Sequence, residues 1–163
     1  MERITSFTID HDVLVPGFYI SRKDGDITTY DLRTRRPNKG DYMSNADMHS
    51  VEHMFATYIR NSEIADSVIY FGPMGCQTGF YLLVRDVEPK KVFRSRKRCY
   101  LRSLLMKERY LEHLRQSVVI MRTLIWRSQR KSAKLILLFW KNRLTWNFHI
   151  QQNKYGKFAL AAK

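Results

Sequence analysis

Cysteine is nearly absent from this 163-residue chain, with Cys76 and Cys99 its only two examples. Two thiols cannot build the multi-bridge framework of a small secreted domain, so any core must come from apolar packing. Long apolar runs are missing as well. The longest purely apolar stretch, Leu135 to Trp140, falls far short of the roughly 20 residues a bilayer span needs, and no charged-then-apolar leader opens the chain. A cytoplasmic protein without a membrane partner is expected. Acidic residues are scarce in one part only. Residues 94–163 carry 2 Asp and Glu against 18 Lys and Arg, whereas residues 1–93 carry 13 against 11. The formal net charge of +14 is therefore a −2 segment joined to a +16 segment. Tryptophan and proline divide at the same place, since all four prolines precede residue 94 and all three tryptophans follow it. Uniform basicity would point to nucleic acid or an anionic membrane. A discontinuity points instead to two kinds of sequence joined near Phe93.

What is present suffices for a globular core, with hydrophobic residues at 44% and aromatics at 13%. The stretch GFYISRKDGDITTYDLR reads as two strands, with Asp24-Gly25 supplying the residues of a tight hairpin. Pro37-Asn38-Lys39-Gly40 ends it. A helix is predicted to start between Ser44 and Asp47, any of which can cap the orphan backbone N–H groups. Met48, Val51, Phe55, Tyr58 and Ile59 recur at helical spacing and should face a core. Further on, SVIYF and GFYLLV read as strands around GPMGCQTG, where Gly and Pro set an irregular turn about Cys76. The first 93 residues thus predict an α+β unit, an antiparallel sheet with helices packed on one face.

On the predicted helix, His49-x-x-Glu52-His53 places two imidazoles at i and i+4, side by side, where both can reach one divalent ion. Glu52 can lie beside that ion and move protons without ligating it. The same order of residues occurs in inverted zinc peptidases, so the pentad alone fixes no reaction, and a plain polar helix face fits it equally well.

Four stretches together decide more. SFTIDH (Ser6 to His11), YDLRTRRPNK (Tyr30 to Lys39), MHSVEHMFATYIRN (Met48 to Asn61) and GPMGCQTGFYLL (Gly72 to Leu83) resemble, in order and spacing, the S-ribosylhomocysteine lyase (LuxS) family over about residues 3–93. The resemblance implies metal-dependent cleavage of S-ribosylhomocysteine to homocysteine and dihydroxypentanedione, an autoinducer precursor in quorum sensing. It implies ferrous iron, replaceable by zinc or cobalt, and a homodimer. Residue by residue it implies His49 and His53 as metal ligands, Glu52 and Cys76 as general acid/base groups, and Ser6, His11 and Arg33 as substrate-contacting positions. One departure is visible: Tyr70 stands six positions before Cys76, where many members have Asp.

The family's third metal ligand is the cysteine of a downstream ECGNY string, which does not occur after Phe93. Permitted codons can restore it in another reading frame. Gln116 to Met121 written as CAG AGT GTG GTA ATT ATG spells ECGNY from its third base, and Leu105 to Tyr110 likewise yields YEGEV, another family-like string. Residues from about Arg94 onward are therefore expected to be a frameshifted translation, a basic and partly helical tail with no defined domain. The chain as written is then an impaired lyase with a tendency to aggregate. The competing readings are a metal-dependent peptidase of the His-x-x-Glu-His kind, for which Cys76 would have no task, and a non-catalytic basic binding protein resting on the tail.

Overall fold

A computed structural model describes residues 11–12, 14–105, 150–152 and 158–160. Ser6, Gln116 to Met121 and Leu135 to Trp140 lie outside them. The expected hairpin joins β1 (Gly17–Asp24) to β2 (Ile27–Arg33), paired antiparallel from Gly17↔Arg33 to Asp24↔Ile27. Its two-residue turn is Gly25-Asp26, one residue later than the sequence suggests, because Asp24 closes the ladder opposite Ile27. Gly25 takes φ +59 at the first central position, which a side chain would resist.

Helix α1 (Asn45–Ile59) starts where a cap is available: Ser44 accepts from the Asp47 backbone N–H at 3.1 Å, and its own hydroxyl donates to Asp47 Oδ2 at 2.7 Å. Met48, Val51, Phe55 and Ile59 are buried as expected. Tyr58 only flanks the core, while Met54, which the periodicity did not single out, is buried within it.

After a short 3₁₀ turn (Ala65–Ser67), β3 (Val68–Pro73) and β4 (Gly79–Arg85) complete a four-stranded antiparallel sheet in the order β1-β2-β4-β3. Side chains alternate across it. Phe18, Leu32 and Phe80 share one face with Tyr30, Leu82 and Phe71, and this face meets the helices. Phe55 of α1 lies on Phe71 with ring centroids 4.4 Å apart, and Phe93 of α2 (Pro89–Leu105) meets Phe18 at 5.9 Å. The architecture is α+β, as the strand and helix patterns predict. Helix α2 runs without a break through the composition boundary at Phe93, in keeping with the helix propensity of Arg, Lys and Leu. Beyond the boundary, Cys99 is buried in the core cluster and the Arg96 guanidinium lies 4.7 Å and 4.4 Å from the centroids of Phe18 and Phe93. A second ladder pairs β5 (Ile150–Gln152) with β6 (Phe158–Leu160). No helix among the described residues is long and apolar enough to cross a membrane.

Candidate active site

The sheet face turned away from the helices is unusually polar for buried surface. Tyr19, Asp31 and Tyr81 are aligned across β1, β2 and β4, and Arg33 stands opposite Gly17 and Gly79 one row away. Asp31 and Arg33, each 3% exposed, form an ion pair in which Arg33 Nη2 donates to Asp31 Oδ2 at 2.5 Å. Burial pushes the Asp31 carboxyl above the usual carboxylate range, with Arg33 and then His11 pulling the other way. Desolvation outweighs attraction here, as expected of a pair so deeply enclosed.

The other end of the guanidinium reaches the turn between β3 and β4. Arg33 Nη1 donates to Thr78 Oγ1 at 2.5 Å and lies 3.6 Å from Cys76 Sγ, and Thr78 Oγ1 is 3.0 Å from the same sulfur. This approach requires Gly79. A Cβ there would come within 2.9 Å of the Leu32 carbonyl oxygen and 3.2 Å of Arg33 Cα, so any side chain would wedge β4 away from β2. Cys76 itself is exposed, with its sulfur partly desolvated. Burial pushes its thiol up, but the Thr78 hydroxyl and backbone N–H, followed by Arg33, outweigh this and leave it below the ordinary thiol range. A thiol so placed can give and take a proton nearer neutrality than a free cysteine.

The turn is fastened to α1. Gln77, in the left-handed region at φ +59, accepts from the Met43 backbone N–H at 3.0 Å, and its side-chain amide donates to Asn45 Oδ1 at 3.1 Å. Those bonds hold a backbone conformation that a non-glycine residue rarely adopts. Asn45 lies one helical turn before His49, so the cysteine turn is tied to the start of the helix that carries the histidines. Along that helix, His49 Nε2 and His53 Nε2 are 2.7 Å apart, a direct contact in which one ring nitrogen donates to the other, so the two imidazole edges meet on one side of the helix. Burial, reinforced by His49, holds His53 below the ordinary imidazole range and so favours the neutral, ligating form. Glu52 is half-buried, and burial lifts its carboxyl above the usual range, with His49 opposing. Two converging neutral donors fit a divalent ion at two of its positions. Among the described residues, no third His, Cys, Asp or Glu joins them in a cluster.

An open cleft of about 340 Å³ adjoins the cysteine, lined by His11, Pro37, Asn38, Tyr42, Cys76, Gln77 and Thr78. Its size suits a small ligand.

A family model described as S-Ribosylhomocysteinase (LuxS) matches residues 4–114. The chain belongs to that family. Among curated LuxS relatives, the S-ribosylhomocysteine lyase of Clostridium beijerinckii is 54% identical over 98 residues, covering 56% of this chain and 62% of the relative. Those of Borreliella afzelii and Desulfotalea psychrophila are 52% and 53% identical over 89 residues, covering 52% of this chain and 57% and 56% of theirs. The chain thus spans less than two thirds of the length of these relatives.

Of the residues that the LuxS resemblance singled out, the structure puts Cys76 and His11 on the wall of one cleft, with Arg33 buried beside the Cys76 sulfur, and pairs His49 with His53 next to Glu52; Ser6 lies outside the described residues. Tyr70, the departure from the family pattern, is 46% exposed on the edge strand β3, with its ring over Gly72, where a Cβ would collide with it. Cys99 is buried, which pushes its thiol up to about 12. Sequence reasoning missed Asp31, Thr78 and the Gln77–Asn45 tie. Asp31 was legible in principle, because residues two apart on a strand share a face.

Proposed function

We propose that residues 1–93 are the catalytic half of an S-ribosylhomocysteine lyase, releasing homocysteine and dihydroxypentanedione. One observation carries the reading: the Cys76 sulfur lies in a ligand-sized cleft, held toward its thiolate by Thr78 and Arg33, on a turn tied to the helix of the converging histidines. The substrate's ribose carbonyl migrates along the sugar as protons pass between neighbouring carbons, with Glu52 and Cys76 as the groups that take and return them. Once the carbonyl is β to the thioether carbon, removal of the intervening proton expels the homocysteine thiolate. Ser6, His11 and Arg33 bind and orient the substrate. His49 and His53 would hold a divalent metal, ferrous iron with zinc or cobalt as replacements, which supplies Lewis acidity to the carbonyl. The family's homodimer and a cytoplasmic setting complete the reading. Free thiol released from S-ribosylhomocysteine supports it; cleavage of peptides with no thiol release rejects it in favour of a peptidase.

The proposal extends to the basic segment. The charge reversal at Phe93, together with codons permitted for residues 116–121 that spell ECGNY one frame away, supports a frameshifted translation from about Arg94, which removes the third metal ligand and impairs this chain. The gene sequence tests it directly: nucleotides that do not encode ECGNY one frame from Ser117 end the idea. A version with the frame restored should hold more metal and release thiol faster than the chain as given.

A further inference from the structure

Thr78 is fully buried, and its main chain is fixed by more bonds than any other residue of the cysteine turn. Its carbonyl accepts from the Thr34 backbone N–H at 2.9 Å, the Arg35 backbone N–H at 3.0 Å and the Thr34 hydroxyl at 3.0 Å. Three donors on one carbonyl leave the residue no freedom to turn, so its side chain is aimed in advance. The hydroxyl sits between two partners. Arg33 is a pure donor, so its 2.5 Å contact must use a lone pair of Thr78 Oγ1. That directs the hydroxyl hydrogen elsewhere, and Cys76 Sγ at 3.0 Å is the acceptor in reach. The direct approach of Arg33 to the sulfur, at 3.6 Å, is longer. We infer that Thr78 is a positioning residue for Cys76: it takes the hydrogen bond of the Asp31-anchored Arg33 and passes its own hydrogen to the sulfur, so that the buried cation acts on the thiolate chiefly through this hydroxyl.

Among the described residues, the titratable and charged groups near the sulfur are Arg33 and Asp31 from β2, Tyr81 from β4, and His11 and Tyr42 from the cleft wall. None of them stands between the guanidinium and the sulfur as Thr78 does. A hydrogen bond to an ionised acceptor is among the stronger ones, so its loss should lower the thiolate fraction roughly tenfold at a pH below the thiol's midpoint.

The experiment follows the rate at which iodoacetamide alkylates Cys76 against pH, read at that residue by mass spectrometry, in the 163-residue chain and in Thr78→Val and Thr78→Ser. Valine keeps the shape and removes the hydroxyl; serine keeps the hydroxyl and removes the methyl. Thr78→Val is expected to move the midpoint upward with roughly tenfold slower alkylation on the acid side, and Thr78→Ser to retain the parental profile within about twofold. An unmoved Thr78→Val profile overturns the inference, and so does a Thr78→Ser profile displaced like that of valine. Where circular dichroism shows that Thr78→Val does not fold, Thr78→Ser decides alone: a parental profile upholds the role and a displaced one overturns it. The inference rests on reading Cys76 as the proton-carrying thiol of the lyase, yet alkylation needs no substrate. A displaced Thr78→Val profile, with no thiol release from S-ribosylhomocysteine by the frame-restored version carrying the parental Thr78, keeps the inference and rejects the lyase. Thr78→Val unmoved, with thiol release intact, does the reverse.

Discussion

Replacing Arg33 by Met tests the energetics on which the site stands. The Arg33 and Asp31 side chains are 3% and 5% exposed, so removing the guanidinium leaves a carboxylate in a place where water cannot replace the lost partner. Breaking a buried pair from one side costs about 3–5 kcal/mol. Some of that cost is avoided by protonation, because burial already pushes Asp31 up and the variant no longer opposes it. The expected loss at about pH 8 is therefore near the lower end, about 3 kcal/mol. Its pH dependence has a definite sign. With the folded pKa of Asp31 above the unfolded value, the folded state binds more protons, so the variant's stability falls as pH rises through the folded pKa and recovers toward acid. Urea unfolding followed by circular dichroism measures both. The double variant with Asp31→Asn should cost less than the sum of the two single changes by about 2 kcal/mol. Asp24→Asn serves as the contrast, since the Arg22–Asp24 side chains are 57% and 48% exposed and such pairs contribute about 0–1 kcal/mol. Additive single changes, or an Arg33→Met loss that is flat with pH, would refute the reasoning.

The two cysteines should separate cleanly in a thiol titration: Cys76 reacts rapidly, while Cys99, buried and pushed up to about 12, reacts only when denaturant opens the core. Because the folded thiol of Cys76 lies below the ordinary 9.0, its contribution to stability is complete above that value and is lost as pH falls through the folded one. Cys76→Ser should remove that slope from the pH dependence of the urea midpoint. Gly79→Ala places a Cβ against the Leu32 carbonyl and Arg33 Cα and should cost about 1–3 kcal/mol, with a displaced Cys76 alkylation profile. His53→Ala should lower metal affinity roughly tenfold or more, as measured by equilibrium dialysis against zinc or cobalt, and an unchanged affinity would move the metal away from α1.

Much of the fold could be read before any coordinates. Strand alternation, a Gly beside Asp24 and a capping Ser44 are short-range features, and each placed its element to within a residue or so. The turn position and the exchange of Tyr58 for Met54 in the core differ because both depend on packing between elements, which periodicity along one element does not contain. The resemblance to a known family supplied the candidate residues and the nearness of Arg33 to the Cys76 thiol, but not the parts that Asp31 and Thr78 play between them.

The histidine pair shows what sequence alone determines about this protein. His49 and His53 are one helical turn apart, so the backbone repeat by itself sets their side chains together, whatever surrounds the helix. The cysteine site is the opposite case. Arg33 and Cys76 are 43 residues apart, and Arg33 and Thr78 are 45 apart. Their meeting depends on the β2–β4 register that sets Arg33 opposite Gly79 and on the missing side chain that lets the strands close. Whether Arg33 would be a surface charge or a buried one was likewise undetermined along the chain. The sheet decided it by placing Asp31 on the same buried face, because a cation enters such a place only with its counter-charge beside it.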